Sequence, residues 1–186
     1  SLFIIVTVLS NNSNIKRWYS EKFAEYIQSR TGFGIEMGLS DASIFNGINI
    51  HDLVITDPEN NEMLKAGKIQ TSLRKNLFSL IFSNSINLED ILFEDAELNI
   101  KKYGSDSLTN LAQFISKLSS KKEANSKCNE LNMERLALKN FSLHFSIKQE
   151  EQLDLNIGDA KIIIDDLDLC HNLILIDEVF LGNSYF

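Results

Sequence analysis

An apolar pattern that recurs along the chain constrains its fold more than any single residue does. The second copy has seven apolar residues, and the third copy repeats all seven positions 45 residues later. A period of roughly 20–50 residues is typical of an array whose units bury surface mainly against their neighbours. We therefore expect a slice of an extended β structure instead of a compact catalytic domain. The four copies are Ile48, Ile50, Leu53 and Ile55; Ile86, Leu88, Ile91, Phe93, Ala96, Leu98 and Ile100; Leu131, Met133, Leu136, Leu138, Phe141, Leu143 and Phe145; and Ile174, Ile176, Val179, Leu181 and Phe186.

Each long copy changes the parity of its apolar positions twice. In the second copy these positions are even, then odd, then even again, with Glu89–Asp90 and Glu94–Asp95 at the switches. The third copy switches at Glu134–Arg135 and Lys139–Asn140. Neighbouring side chains in a strand point to opposite faces, so each switch requires a bulge, a bend or a turn. The pattern predicts that each copy is a kinked strand followed by a tight connection into the next strand.

The first 32 residues predict a membrane attachment followed by a helix. The apolar run Leu2–Leu9 would cover only about 12 Å as a helix, against about 30 Å of hydrocarbon. Residues 1–10 are interpreted as the end of a truncated anchor or signal segment, with a short first strand as the alternative. Residues 11–32 predict an amphipathic helix that ends near Gly32. Its apolar residues at helical spacing are Ile15, Trp18, Tyr19, Phe23, Tyr26 and Ile27.

Two neighbouring aromatic residues follow the apolar run closely. Trp18 and Tyr19 would suit the aromatic belt of a membrane interface. Packing of the same stripe on the first strands explains them equally well. Both interpretations stay open from the sequence alone.

From residue 33 onward the apolar period is mainly two, which is typical of strands. Ser40–Ser43 and Asp57–Asn61 are predicted turns, the second because its proline presets a turn dihedral. Lys75–Phe82 is interpreted as a short helix or an apolar edge segment. A helical insertion is expected at about 107–120, capped by Ser107, with a polar linker over 119–130. Residues 33–186 are thus the start of a repeated, mainly β region with a few helices.

The composition and the scarcity of motifs exclude several functions. A net charge of −8 argues against nucleic-acid binding, which requires clustered Lys and Arg. Each histidine stands alone, and the Glu–Asp pairs are strand neighbours that point to opposite faces. We therefore predict a non-enzymatic chain without a metal or another cofactor. Cys128 and Cys170 are interpreted as two unrelated thiols, and a bridge between them remains the alternative.

An ordered series of short motifs resembles the AsmA-like family. Each motif is little more than an apolar spacing, and the order of the series is what is specific. The resemblance covers roughly the first 120 residues, and the later strands follow from the repeat. It points to the N-terminal, membrane-proximal region of the TamB branch. The motifs are Thr31–Gly38 (TGFGIEMG), Ile48–Asp57 (INIHDLVITD), Met63–Leu73 (MLKAGKIQTSL), Leu77–Leu80, Ile86–Ile100 (INLEDILFEDAELNI) and the later Leu108, Asn110 and Leu111.

What this resemblance implies is an architecture and a function. The fold would be an elongated, twisted antiparallel β-sheet that forms an open hydrophobic groove, capped by the N-terminal amphipathic helix. The protein would be anchored in the inner membrane of a Gram-negative bacterium and extend through the periplasm. Its groove would carry phospholipid acyl chains toward the outer membrane, in partnership with an outer-membrane β-barrel protein and with a role in outer-membrane biogenesis.

The groove itself would be the functional site. A β-rich envelope scaffold or protein-interaction module, with a closed core and no lipid cargo, is the alternative that the apolar pattern leaves open. The candidate lining residues are Ile48, Ile50, Leu88, Ile91, Phe93, Leu98, Ile100, Met133, Leu136, Leu138, Leu143 and Phe145.

Overall fold

The computed structural model is mainly β, with one mixed sheet and two helices among the residues that it describes. Those residues are 13–38, 41–43, 47–73, 85–104, 108–119, 130–147, 151–168 and 173–185. The predictions for Leu2–Leu9, Lys75–Phe82, Cys128 and Cys170 lie outside them. The helices are α1 (Ser13–Thr31) and α2 (Asn110–Ser119). The strands are β1 (Gly34–Glu36), β2 (Asp41–Ser43), β3 (Gly47–Thr56), β4 (Glu62–Leu73), β5 (Ser85–Lys102), β6 (Glu130–Ile147), β7 (Glu151–Asp168) and β8 (Leu173–Tyr185).

The strands follow the order β1-β3-β4-β5-β6-β7-β8, and β2 also pairs with β3. All of these pairs are antiparallel except β5 and β6, which run parallel. The expectation of a purely antiparallel sheet is therefore wrong at this pair. A parallel pair requires a crossover connection, and the segment that contains α2 joins β5 to β6.

The parallel register equals the spacing of the repeat. Phe93 lies opposite Leu138 and Leu98 lies opposite Leu143, so the second copy pairs with the third at an offset of 45 residues. Equivalent positions of two copies therefore lie side by side in the sheet.

Three of the four predicted parity switches coincide with an irregularity in the strand. Asp95 and Asn140, at the second switch of their copies, have φ of 54° and 50°. At the first switch, the β4–β5 register shifts so that Glu89 is left unpaired. Asn and Asp tolerate this left-handed conformation better than other non-glycine residues.

The kinks form one line across six strands. Strands β3, β5, β6 and β8 each have a residue with positive φ on this line. On β4 and β7, which lie between them, a glycine is opposite the positive-φ residues of the neighbouring strands. Asn140 Nδ2 donates to Asp95 Oδ1 over 2.7 Å across the parallel pair. The line consists of Asp52 on β3, Gly67 on β4, Asp95 on β5, Asn140 on β6, Gly158 on β7 and Asn183 on β8.

The residues of the kink line group the six strands into two similar units, β3–β4–β5 and β6–β7–β8. Asn140 and Asn183 follow Asp52 and Asp95 by 88 residues each. The order of kinked strand, glycine-containing strand and kinked strand is the same in both units. The units meet through the parallel pair β5–β6.

The buried core extends from the helices and the first unit to β6 and β7. Helix α1 packs mainly against β1 and α2, and α2 packs against β5. Phe33 is fully buried, and its ring lies edge-on to Phe114 of α2, with 5.1 Å between the centroids. Gly32 follows α1 with φ of 75°, which ends the helix at the predicted place.

Two local predictions differ from the structure in detail. Asp41–Ser43, expected within a turn, is a short strand because it finds hydrogen-bonding partners at the start of β3. Helix α2 begins at Asn110, later than expected from Ser107. Its N-cap is Thr109, whose hydroxyl accepts a hydrogen bond from the Ala112 amide over 3.2 Å.

Candidate functional site

Four apolar rows run across the sheet from β3, three of them to β8 and one to β7. One row joins Ile50, Ile69, Phe93, Leu138, Ala160 and Leu181 through successive strand pairs. The row beside it joins Ile48, Thr71, Ile91, Leu136, Ile162 and Val179. Beyond the kink line, one row joins Leu53, Ala66, Ala96, Phe141, Ile157 and Ser184. The last joins Ile55, Leu64, Leu98, Leu143 and Leu155. We call this surface the apolar face.

The kinks keep these rows on one face. In a regular strand, residues three apart, such as Ile50 and Leu53, would point to opposite sides. The left-handed residue between them reverses the alternation, and both side chains join the same cluster of apolar residues. The structure thus brings eight of the twelve predicted lining residues into these rows: Ile48, Ile50, Ile91, Phe93, Leu98, Leu136, Leu138 and Leu143. The other four form two further pairs across β5 and β6, Ile100 with Phe145 and Leu88 with Met133.

Burial differs among the predicted lining residues. Leu138 is buried, at 9% exposure, so a charge there would test folding rather than ligand binding. The side chain of Leu88 lies outside the described part of the structure, although its backbone pairs with Met133 on β6. The other predicted lining residues are half-buried: Ile48, Ile50, Ile91, Phe93, Leu98, Ile100, Met133, Leu136, Leu143 and Phe145.

The apolar face becomes more exposed toward β8. Leu53, Ile55 and Ile69 on the first strands are buried. Val179 and Leu181 on β8 are 53% and 56% exposed. The helices explain the gradient, because their main contacts are with β1, β5 and each other. Among the described elements, the main contacts of the second unit are with neighbouring strands.

The opposite face is polar, and ion pairs on it join neighbouring strands. Lys139 Nζ lies 2.7 Å from Glu94 Oε1, and Lys68 Nζ lies 3.8 Å from the other oxygen of Glu94. The hydrogen bond and charge of Lys139, followed by the charge of Lys68, hold the pKa of Glu94 below its ordinary value. Arg135 Nη2 donates to Asp90 over 3.0 Å. Such exposed pairs fix the alignment of neighbouring strands more than they add stability.

A buried polar cluster lies at one end of the apolar face. Asp57 is 2% exposed. Its carboxylate accepts hydrogen bonds from the Tyr103 hydroxyl and from Asn110 Nδ2, the latter over 3.1 Å. Its other oxygen accepts from the amides of Glu59 and Asn61, over 3.0 and 2.9 Å, which also confirms the predicted turn. The cluster joins the β3–β4 turn, the end of β5 and the start of α2.

Electrostatics within this cluster keep Asp57 ionised. Burial alone would raise the pKa of Asp57, but hydrogen bonds led by that of Tyr103 outweigh it, and the pKa lies below its ordinary value. Burial, reinforced by the neighbouring Asp57 carboxylate, raises the pKa of the Tyr103 hydroxyl. The sequence identified the turn but not these partners, since Tyr103 and Asn110 lie 46 and 53 residues away from Asp57.

In chemical terms, the polar groups of the cluster form hydrogen bonds with one another, so the cluster holds the turn, β5 and α2 together. Asn110, which is 1% exposed, uses its side chain on several partners: its oxygen accepts from the Lys101 amide over 3.0 Å, and its nitrogen donates to the Asn99 carbonyl over 3.1 Å. Among the described residues, no group of three or more His, Cys, Asp or Glu is placed to hold a metal ion.

The two predicted membrane-interface residues lie on α1. Trp18 is 53% exposed, and the side chain of Tyr19 is outside the described part of the structure. In the segments that the structure describes, none of the helices has both the length and the apolar character needed to cross a membrane.

No protein-family model matches this chain, and none of the curated proteins matches it significantly.

Proposed function

We propose that this chain is a non-enzymatic lipid conduit whose site is the apolar face. The observation that carries the proposal is the continuity of the apolar rows, of which three cross six strands from β3 to β8 and one crosses five, without a polar interruption other than Thr71 and Ser184. Neighbouring strands lie about 4.8 Å apart, so such a row is about 24 Å long. That length accommodates an extended acyl chain running across the strands.

The energetics of burial favour such a ligand. Each methylene that moves from water to an apolar surface gains about 0.8 kcal/mol, without any contact to a specific head group. The half-buried side chains on β6, among them Leu136, Leu143 and Phe145, offer this surface. The ion pairs on the opposite face hold the strands in register and leave the apolar face free for the lipid.

The cellular setting of the proposal comes from the resemblance to AsmA-like proteins of the TamB branch. In that setting, the chain belongs to a protein attached to the inner membrane at its N-terminal end and extending through the periplasm. Phospholipid would move toward the outer membrane, and an outer-membrane β-barrel protein would be the partner. Trp18, exposed on α1, is suited to contact the membrane interface.

A closed scaffold without lipid is the second candidate. The observation that favours it is the burial of Leu138 and Phe141, at 9% and 8% exposure, on a strand that has no helix among its main contacts. Such side chains are already covered by their neighbours at the centre of the sheet. The lipid conduit and the closed scaffold therefore differ in whether lipid contacts the half-buried residues beside this centre.

Substitution of adjacent residues on β6 separates the two functions. Phe145→Glu places a charge on the apolar face, and Ser146→Glu places the same charge on the opposite face of the same strand. We expect native mass spectrometry of gently purified protein to show bound phospholipid in the wild type and in the Ser146→Glu variant. The Phe145→Glu variant should lose it, because burying a charge against acyl chains is strongly unfavourable.

Circular dichroism and urea unfolding provide the control for this experiment. Both variants should keep the β-rich spectrum of the wild type. Wild-type protein that carries no lipid after extraction and after incubation with phospholipid vesicles would contradict the conduit and favour the scaffold.

A further inference from the structure

The apolar face ends in a lysine at one rim of the sheet. The parallel register of β5 and β6 is regular from Ala96 to Lys102, so side chains alternate between the two faces over this stretch. Leu98 and Ile100 are on the apolar face, and Lys102, two residues further along β5, is therefore on the same face. Lys102 is the last residue of the strand and is half-buried.

The neighbours of Lys102 on this face are apolar. Its partner across the parallel pair is Ile147, and the pair next to them is Ile100 with Phe145, all three of these side chains being half-buried. A lysine can lay its aliphatic stem along such a surface and hold its ammonium group at the edge, in water. The side chain therefore places a positive charge where the apolar surface ends.

Within the described part of the chain, no carboxylate pairs with Lys102. The ion pairs there do not include it, whereas Arg135 and Lys139 on the opposite face both pair with acidic residues. Lys101, its neighbour in sequence, is on the opposite face and donates to Asn61 Oδ1 over 3.2 Å. Lys102 thus differs from these cations in lying beside apolar side chains without an anion in contact.

We propose that Lys102 binds the phosphate of a phospholipid whose acyl chains lie on the apolar face. The inference rests on the proposed function and names the polar group that the site recognises. A phospholipid joins an anion to apolar chains through a short glycerol unit, so a cation directly beside an apolar surface matches both parts of the molecule. Phospholipids with different head groups share this phosphate, whereas diacylglycerol lacks it. Lys102 therefore distinguishes phospholipids from uncharged lipids that have the same acyl chains.

A competition between two lipids with identical acyl chains tests this site. The full chain is incubated with mixed micelles that contain equal amounts of dioleoylphosphatidylglycerol and dioleoylglycerol, and native mass spectrometry identifies the bound lipid. We expect the wild type to prefer the phospholipid. Lys102→Met keeps an apolar stem without the charge and should lower this preference about threefold to fivefold, as expected for an exposed ion pair. High salt should lower the preference of the wild type but not that of the variant.

Two further variants control for net charge and for side-chain size. Lys65→Met removes the same charge from the opposite face of β4, where Lys65 is exposed, and should leave the lipid preference unchanged. Lys102→Arg keeps a cation at the rim and should retain the preference of the wild type. Glycerol phosphate, which has the phosphate without acyl chains, should not displace bound phospholipid, because most of the binding free energy comes from the apolar surface.

The possible outcomes separate the phosphate site from the conduit itself. Equal lipid preference of the wild type and Lys102→Met, with lipid bound to both, would overturn the phosphate site and leave the conduit standing. An equally large loss of preference in Lys65→Met would assign the effect to net charge and would also overturn the site. A wild-type chain that binds neither lipid would contradict the conduit and the phosphate site together.

Discussion

At the scale of single residues, Asp57 shows how a buried charge is accommodated. Its carboxylate accepts hydrogen bonds from the Tyr103 hydroxyl, the Asn110 amide group and the backbone of the turn. Removal of the acceptor would leave these buried donors unsatisfied. The turn residues were predictable because they are local, whereas the partners on β5 and α2 were not, because only the folded sheet brings them together.

Asp57→Ala should therefore destabilise the protein. We expect a loss of about 1–3 kcal/mol in the free energy of unfolding, measured by urea denaturation. Asp154→Ala is the matched control, because its carboxylate forms an exposed pair with His144 over 2.6 Å and should cost less than about 1 kcal/mol. An equal loss of unfolding free energy in the two variants would show that the buried cluster does not stabilise the fold more than an exposed ion pair does.

The pH dependence of stability should also reveal Asp57. Its folded pKa lies below the ordinary value of 3.8, so its stabilisation is fully present above that value and is lost as the pH falls through the folded pKa. The difference in unfolding free energy between wild type and Asp57→Asn should shrink below about pH 4. Urea unfolding across a pH series measures it, and a difference that grows on acidification would have the wrong sign.

At the scale of strands, the kink line is the organising feature. Parity switches in the sequence predicted kinks, since apolar residues can remain on one face only if the alternation is interrupted. What parity did not reveal is the alignment of the first copy. The apolar spacing of the first copy allows Ile48 to be aligned with Ile86. The positive-φ residue Asp52, however, is equivalent to Asp95, and this equivalence aligns Ile48 with Ile91 instead. Apolar spacings are interchangeable between copies, whereas a left-handed residue marks a unique position.

Two glycines on neighbouring strands provide a test of this line. A Cβ at Gly158 would lie 2.5 Å from the Asn183 carbonyl oxygen and 2.8 Å from its Cβ, so Gly158→Ala must push β8 away. We expect a loss of about 1–3 kcal/mol in unfolding free energy. At Gly182 the nearest atom is 3.8 Å away, so Gly182→Ala should change stability by less than about 1 kcal/mol.

Urea denaturation of both variants makes the comparison. An equal loss of unfolding free energy in the two variants would contradict the prediction, because, of the two positions, only Gly158 lies at a close approach of the strands.

At the scale of the whole molecule, the protection of backbone amides against hydrogen exchange should decrease from the first unit to the second. Helices cover the apolar face near β1 and β5, whereas β8 has an exposed edge and exposed side chains. Local opening requires less free energy where fewer apolar contacts must be broken. In hydrogen-exchange mass spectrometry, amides of β4 should therefore exchange more slowly than those of β8.

Lipid should change this exchange pattern unevenly. If acyl chains lie on the apolar face, phospholipid micelles should slow exchange in β6 and β7 more than in β4, whose face is already covered. Soluble head-group analogues that lack long acyl chains are the control and should have no such effect. Uniform slowing across the sheet, or none, would contradict binding at this face.

The sequence by itself determined the mainly β character, the repeat and the kinks of β5 and β6. These are local properties, because side chains that alternate along one strand report which face is buried. Only the tertiary structure decided that β5 and β6 run parallel, because the direction of β6 depends on the crossover through α2 and not on its own apolar spacing. It also decided the partners of Asp57 and the burial of Leu138, since both depend on strands that are distant along the chain.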